Sequence, residues 1–215
     1  MPASLGLAKG AARTTETVQE IGAANTLYKN DTGNWQTANT DYQAALESIR
    51  SGLDPGESLA GKTAMILGSG GVARAIGLGL MNSNCDLTIT NRTPTRAEAL
   101  ANELGCRHVN WENRGAESVD IVINCTPLGM HPHTIDETPF AMNWFRDGTL
   151  VFDTVYNPEN TLFLKEARQQ GCRTVSGIEM FVRQAAEQFE RFTGESSPLE
   201  SMREALRRGI SAVRR

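Results

Sequence analysis

The stretch Lys62–Ala75, KTAMILGSGGVARA, constrains this chain more than any other. Ala64–Leu67 is a short apolar run of the kind buried on both faces of a parallel sheet. Gly68, Ser69, Gly70 and Gly71 follow at once, and then Val72–Met81, a run of good helix formers interrupted only by Gly77 and Gly79. Strand, glycine turn and helix in succession give a mechanical meaning to the pattern G-x-G-x-x-(G/A), met here by Gly68, Gly70 and Ala73. The first glycine allows the tight turn, the second lets backbone approach a pyrophosphate, and the small third residue lets helix pack on strand. The free N–H groups of the helix N-terminus then face the phosphates. A plain glycine turn in some other α/β protein is the alternative, and the flanking strand and helix weigh against it.

The rest of the chain repeats that alternation. Strands are expected at Asp86–Thr90, near His108–Val109, and at Ile121–Asn124, Thr149–Asp153 and Arg173–Val175. Helices are expected at Thr95–Leu104, Thr161–Gln170, Gly177–Phe192 and Leu199–Arg214. This pitch predicts an α/β fold, a doubly wound parallel sheet with helices on both faces and the cofactor at the carboxyl ends of the strands. Ser51–Gly61, with Pro55 and three glycines, reads as a boundary. The division predicted is 1–50 for a partial α/β second domain, 51–176 for the nucleotide-binding Rossmann domain, and 177–215 for helices returning to the second domain.

Before that boundary, Thr17–Ile21 closes a helix, Gly22–Tyr28 reads as a strand, and Asp31–Asn34 as a turn into the returning strand Trp35–Thr37. Tyr42–Arg50 is helical, and on local grounds Asp41 is its N-cap.

The composition excludes several classes. With 215 residues and a net charge of −4, the chain can bury a core and has no long basic run, so nucleic acid is not expected as a partner. Arg203, Arg207, Arg208, Arg214 and Arg215 stand among Glu200 and Glu204, the mark of a solvated helix face. The 4 cysteines are scattered with no C-x-x-C pair, which fits reduced thiols and a cytoplasmic setting. No apolar run has the length to cross a membrane. His131 and His133 lack a third nearby ligand, so no metal is expected, and Cys125 lacks the surroundings of a nucleophile.

The second strand of the repeat selects the nucleotide. An NAD site usually ends it with a carboxylate for the ribose hydroxyls. Here it ends in Asn91, followed by Arg92, Thr93 and Arg96. Guanidinium groups hold a 2′-phosphate by paired charge-assisted hydrogen bonds, so NADP is predicted.

Several stretches together resemble the shikimate dehydrogenase family: GAANTL with NTD (Gly22–Leu27, Asn39–Asp41), GSGGVARA (Gly68–Ala75), NRT-x-x-R (Asn91–Arg96), NCTPLGMHP (Asn124–Pro132), DTVYNPENTLFL (Asp153–Leu164) and GIEMFVRQAAEQFERFTG (Gly177–Gly194). The resemblance implies NADP-dependent interconversion of 3-dehydroshikimate and shikimate in aromatic amino-acid biosynthesis, or of quinate in a close relative. It implies that Asn25 and Asp41 contact substrate hydroxyls, Asp41 being half of a catalytic Lys–Asp pair, and that Tyr156 and Gln184 reach the substrate from the other side. Gly68, Ser69, Gly70, Gly71, Val72 and Ala73 would hold the pyrophosphate. Asn91, Arg92, Thr93 and Arg96 would hold the adenosine phosphate. Thr126, Thr154, Gly177 and Met180 would border the ribose and nicotinamide.

The sequence departs from the family's pattern at its start. The upstream serine pair and the motif N-V-T-x-P-x-K, whose lysine is the catalytic acid/base, do not occur in it. Counting back from Asn25 places that lysine near Ser4, and Lys9 is out of register. The expectation is an NADP-binding chain with impaired turnover, a non-catalytic NADP-binding fragment or relative being the alternative. Its early residues would be covered by a homodimer or by fusion to further upstream sequence.

Overall fold

The computed structural model describes residues 13–212, so the readings placed on Ser4, Lys9, Arg214 and Arg215 lie outside the described residues. A small sheet contains β1 (Arg13–Thr14), β2 (Thr26–Lys29) and β3 (Trp35–Ala38) in the order β1-β3-β2. Here β3 runs parallel to β1 and antiparallel to β2. Helix α1 (Glu16–Ile21) joins β1 to β2, and α2 (Asp41–Ser51) follows β3.

The large sheet has six strands: β4 (Thr63–Leu67), β5 (Asp86–Thr90), β6 (Arg107–His108), β7 (Ile121–Asn124), β8 (Leu150–Asp153) and β9 (Arg173–Val175). Their order is β6-β5-β4-β7-β8-β9, and every pairing is parallel. The winding reverses between β4 and β7, which opens a crevice at their carboxyl ends. The register aligns Leu67 with Thr90 on one side and Asn124 on the other, and Asn124 with Asp153. Gly68, Asn91, Cys125 and Thr154 therefore leave the sheet side by side.

The unbroken apolar run of β4 follows from burial on both faces. Ala64 and Ile66 join one cluster with α2, α3 (Gly71–Asn82) and α4 (Pro94–Leu104). Met65 and Leu67 point the other way, toward Phe140, Phe145 and α5 (Leu162–Gln169) with its Phe163 and Leu164. The two glycines inside α3 are packing contacts. A Cβ on Gly77 would lie 2.5 Å from Leu104 Cδ1, and one on Gly79 would lie 2.9 Å from Leu46 Cγ in α2. Helix α6 (Gly177–Thr193) packs against α2, and α7 (Leu199–Ala212) seats Ile210 on Ile178 and Val182. The arginines of α7 that the structure describes meet carboxylates: Arg203 with Glu179 at 3.0 Å, Arg207 with Glu159 at 3.0 Å and Arg208 with Glu204 at 2.5 Å.

Two expectations are corrected. Gly22–Tyr28 is not one strand: Gly22, at φ +68°, closes α1 by donating its N–H to Val18, and the ladder begins only at Thr26. A glycine in the left-handed region ends a helix at little cost. Asp41 is not the N-cap of α2 either. Thr40 holds that position and Asp41 is the first helical residue. The Asn39 side chain does the capping, its Oδ1 accepting from the N–H groups of Asp41 at 3.0 Å and Tyr42 at 3.3 Å. The Asp41 carboxylate is thereby left free of a capping duty.

Candidate active site

A cleft of about 410 Å³ lies between the small sheet with α2, the first turn of α3, and α6. From the residues expected at the site it collects Asn25, Asp41, Val72, Thr154, Tyr156, Gly177, Met180 and Gln184. Phe181 and Gln188 line it as well, and sequence reasoning missed both. Gln188 follows Gln184 by one helical turn, a spacing that places the two amides on one face of α6. The other expected residues, Gly68 to Gly71, Ala73, Asn91, Arg92, Thr93, Arg96 and Thr126, are not in this lining and follow the carboxyl ends of β4, β5 and β7.

On one wall, Asn25 ties β2 to the start of α2. Its Oδ1 accepts from the Thr40 N–H at 3.0 Å and from the Thr26 hydroxyl at 2.8 Å, and its Nδ2 donates to Thr40 Oγ1 at 3.1 Å. Beside it Asp41 is almost wholly buried. Desolvation pushes its carboxyl above the ordinary range, against an opposing hydrogen bond from Asn25. On the facing wall, Tyr156 stacks on Phe181 with ring centroids 4.4 Å apart. Gly177 starts α6 there because nothing larger fits: an added Cβ would run into the Val155 carbonyl oxygen. Gln188 donates to Thr40 Oγ1 at 3.2 Å and so bridges the two walls.

The glycine turn sits at the mouth of this cleft. Gly68 has φ +116°, and a Cβ on it would lie 2.9 Å from the Cys125 carbonyl oxygen. Gly70 is the N-cap of α3, with no side-chain cap bond, and a Cβ on it would meet nothing within 4 Å. The first N–H groups of α3 thus open onto space that Gly70 leaves clear, the donor set and the room that a pyrophosphate requires. Next to it Asn91 donates to the Thr93 carbonyl at 3.2 Å. Arg92 and Arg96 are exposed, and their guanidinium groups have no hydrogen-bond or ion-pair partner among the described residues. Two unengaged guanidinium groups beside an open phosphate turn fit the 2′-phosphate of NADP.

Cys125 is not poised as a nucleophile: burial, with Asp153 and Asp41 nearby, drives its thiol upward. Among the described residues, no three His, Cys, Asp or Glu side chains are placed to hold a metal, and no helix is long and apolar enough to cross a membrane.

This is the architecture of a dinucleotide-dependent oxidoreductase of the Rossmann class. Comparison with known proteins narrows it. The family descriptions "Shikimate / quinate 5-dehydrogenase" and "Shikimate 5'-dehydrogenase C-terminal domain" match residues 52–152 and 177–207. The chain is 38% identical over 203 residues to the shikimate dehydrogenase (NADP(+)) of Methanosarcina mazei, covering 90% of this chain and 71% of that one. It superposes on a crystal structure of a shikimate dehydrogenase in complex with NADP+ with a TM-score of 0.88 at 31% identity, covering 96% of this chain and 74% of the other. It superposes on the Thermus thermophilus shikimate 5-dehydrogenase in complex with NADP(H) and shikimate with a TM-score of 0.81 at 33% identity, covering 95% and 75%. The chain belongs to the shikimate dehydrogenase family.

Proposed function

We propose that this chain binds NADP(H) and interconverts 3-dehydroshikimate and shikimate. The observation that carries the proposal is the cleft itself. Asn25 and Asp41 face Tyr156 and Gln184 across a space that opens at the first turn of α3. The relatives named above, one holding NADP(H) and shikimate together, support the same reading. The reading divides the chain into a substrate-side part, 1–50 with 177–215, and a nucleotide-side part, 51–176, and it is supported by family matches that fall within 51–176 and 177–215 separately.

When bound, the nicotinamide supplies a hydride to the substrate carbonyl carbon or takes one from the alcohol. The chain's own residues bind and orient. Backbone N–H groups of Gly71, Val72 and Ala73 hold the pyrophosphate, with Gly68, Ser69 and Gly70 shaping the turn. Arg92 and Arg96, with Asn91 and Thr93, take the 2′-phosphate. Thr126, Thr154, Gly177 and Met180 border the nicotinamide end. Asn25 and Asp41 accept and donate hydrogen bonds at the substrate hydroxyls, and Tyr156 and Gln184 close on the substrate from the α6 side. The Asp41 carboxyl is raised in pKa and so is a stronger base than a free aspartate, suited to take the hydroxyl proton as the carbonyl forms and return it in the reverse direction.

The test is a paired measurement on the full chain. Calorimetry should show NADP bound more tightly than NAD. Shikimate-dependent NADPH formation should fall steeply in Asp41→Asn while NADP affinity is unchanged. Absence of NADP binding in the parent would overturn the proposal.

A further inference from the structure

One side chain outside the expected site organises the nicotinamide end of the cleft. Asn124 ends β7 and is fully buried. Its Nδ2 donates to Asp153 Oδ1 at 2.9 Å and to the Leu128 carbonyl at 3.1 Å. Its Oδ1 accepts from the Thr126 N–H at 2.9 Å and from the Thr126 hydroxyl at 2.7 Å. Both donors and both acceptor sites of the amide are used, and the Leu128 carbonyl, which can only accept, fixes which way the amide faces. The backbone carbonyl of Asn124 takes the Thr154 N–H at 3.0 Å and the Thr154 hydroxyl at 2.8 Å. Asp153 is held in turn by the Val155 N–H at 3.0 Å and the Thr161 hydroxyl at 2.6 Å.

One residue thus orients two threonines, Thr154 in the lining of the cleft and Thr126, whose Cγ2 would come within 3.3 Å of a Gly68 Cβ. The Thr126 hydroxyl donates to Asn124 and accepts from the Leu128 N–H at 3.3 Å. Thr126 therefore contributes shape rather than a free hydroxyl. We infer that Asn124, locked by Asp153, is a positioning residue for the nicotinamide half of the bound nucleotide. It acts through Thr126 and Thr154 and leaves the adenosine half untouched. The inference rests on the cofactor reading above.

The two halves can be separated with two probes on the full chain. NADP spans the whole site, whereas adenosine 2′,5′-bisphosphate lacks the nicotinamide half and reports on the adenosine half alone. Calorimetry on Asn124→Ala should show NADP weakened by about tenfold or more, the scale of a lost buried hydrogen-bond set, with bisphosphate affinity within roughly twofold of the parent. Retained bisphosphate binding also reports that the nucleotide domain is folded. Should Asn124→Ala fail to fold, the near-isosteric Asn124→Asp carries the same comparison, because a carboxyl has at most one proton and cannot donate to both Asp153 and the Leu128 carbonyl. Loss of both ligands in proportion, or of neither, would overturn the inference. A parent that bound neither ligand would overturn the cofactor reading and this assignment with it.

Discussion

The Cys125 carbonyl oxygen stands 2.9 Å from where a Gly68 Cβ would be placed, whereas a Cβ on Gly70 would meet no protein atom within 4 Å. The two glycines of the motif are therefore required for different reasons. Gly68→Ala strains a φ of +116° and collides with backbone, at a cost of about 1–3 kcal/mol. Gly70→Ala keeps an ordinary φ of −82° and strikes nothing, but its methyl would project where a pyrophosphate approaches. Thermal unfolding should fall for Gly68→Ala and hold for Gly70→Ala, while calorimetry should show NADP binding weakened in both. Normal NADP affinity in Gly70→Ala would remove the turn from the cofactor site.

Arg92 and Arg96 carry the choice of nucleotide. Both are exposed and unpaired among the described residues, so removing either leaves no orphaned partner among them. A hydrogen bond to a charged group contributes about 1.5–3 kcal/mol, so each alanine variant should bind NADP roughly 10- to 150-fold more weakly. NAD lacks the 2′-phosphate, and its affinity should not move. The NADP/NAD ratio, measured by titration at low and at high salt, checks this. The parent's ratio should itself shrink as salt screens the clamp.

Much of this was legible because the sheet's chemistry is local. Ala64–Leu67 and Ile121–Asn124 are short runs that are largely apolar, Asp86–Thr90 is rich in β-branched residues, and the strands fall on or within a residue of those limits. The nucleotide site follows from them, since the glycine turn and NRT sit at strand ends that the register brings together. What stayed hidden depends on contacts distant in sequence. Gly77 and Gly79 read as interruptions of a helix, yet they are where Leu104 and Leu46 pack. GAANTLY reads as one strand, but Gly22 is spent on closing α1 and the ladder starts at Thr26. Asp41 looks like a cap until Asn39 is seen to take that role. Asn124 and Asp153 are 29 residues apart, and only the pairing of β7 with β8 makes them neighbours. The available signal was a polar residue closing each of two apolar strands.

Asp153 gives the fold a pH dependence of defined sign. Burial lifts its carboxyl to about 7, more than its hydrogen bonds from Thr161, Val155 and Asn124 lower it. An acid held more tightly protonated in the folded state stabilises most below its unfolded pKa, near 4, and loses that contribution as pH rises through the folded value. Protonation needs no rearrangement, because the Thr161 hydroxyl can accept from the carboxyl instead of donating to it. Relative to Asp153→Asn, the parent should therefore lose up to roughly 4 kcal/mol between pH 4 and 7 and change little above pH 8. Denaturant midpoints of both proteins across that range would show it. A difference independent of pH would mean that Asp153 stays ionised throughout.

Asp41 should trade stability for activity. Its pKa is raised because desolvation outweighs the hydrogen bond from Asn25, so ionising it opposes folding. By the same sign argument its contribution is present at low pH and is lost as pH rises through the folded pKa. An asparagine in its place carries no charge at any pH and keeps the size of the side chain. Asp41→Asn should thus unfold at a temperature close to the parent's at pH 4 and above it at pH 8. The same variant should leave NADP affinity unchanged, because Asp41 lies on the substrate wall and outside the glycine turn. Shikimate-dependent NADPH formation should fall by about 10²-fold or more, the usual contribution of a positioned acid or base. A carboxylate kept where it destabilises the fold is the pattern expected of a residue retained for chemistry. If Asp41→Asn were less stable than the parent at pH 8, the carboxylate would be holding the fold together, and its place in the reaction would need another argument.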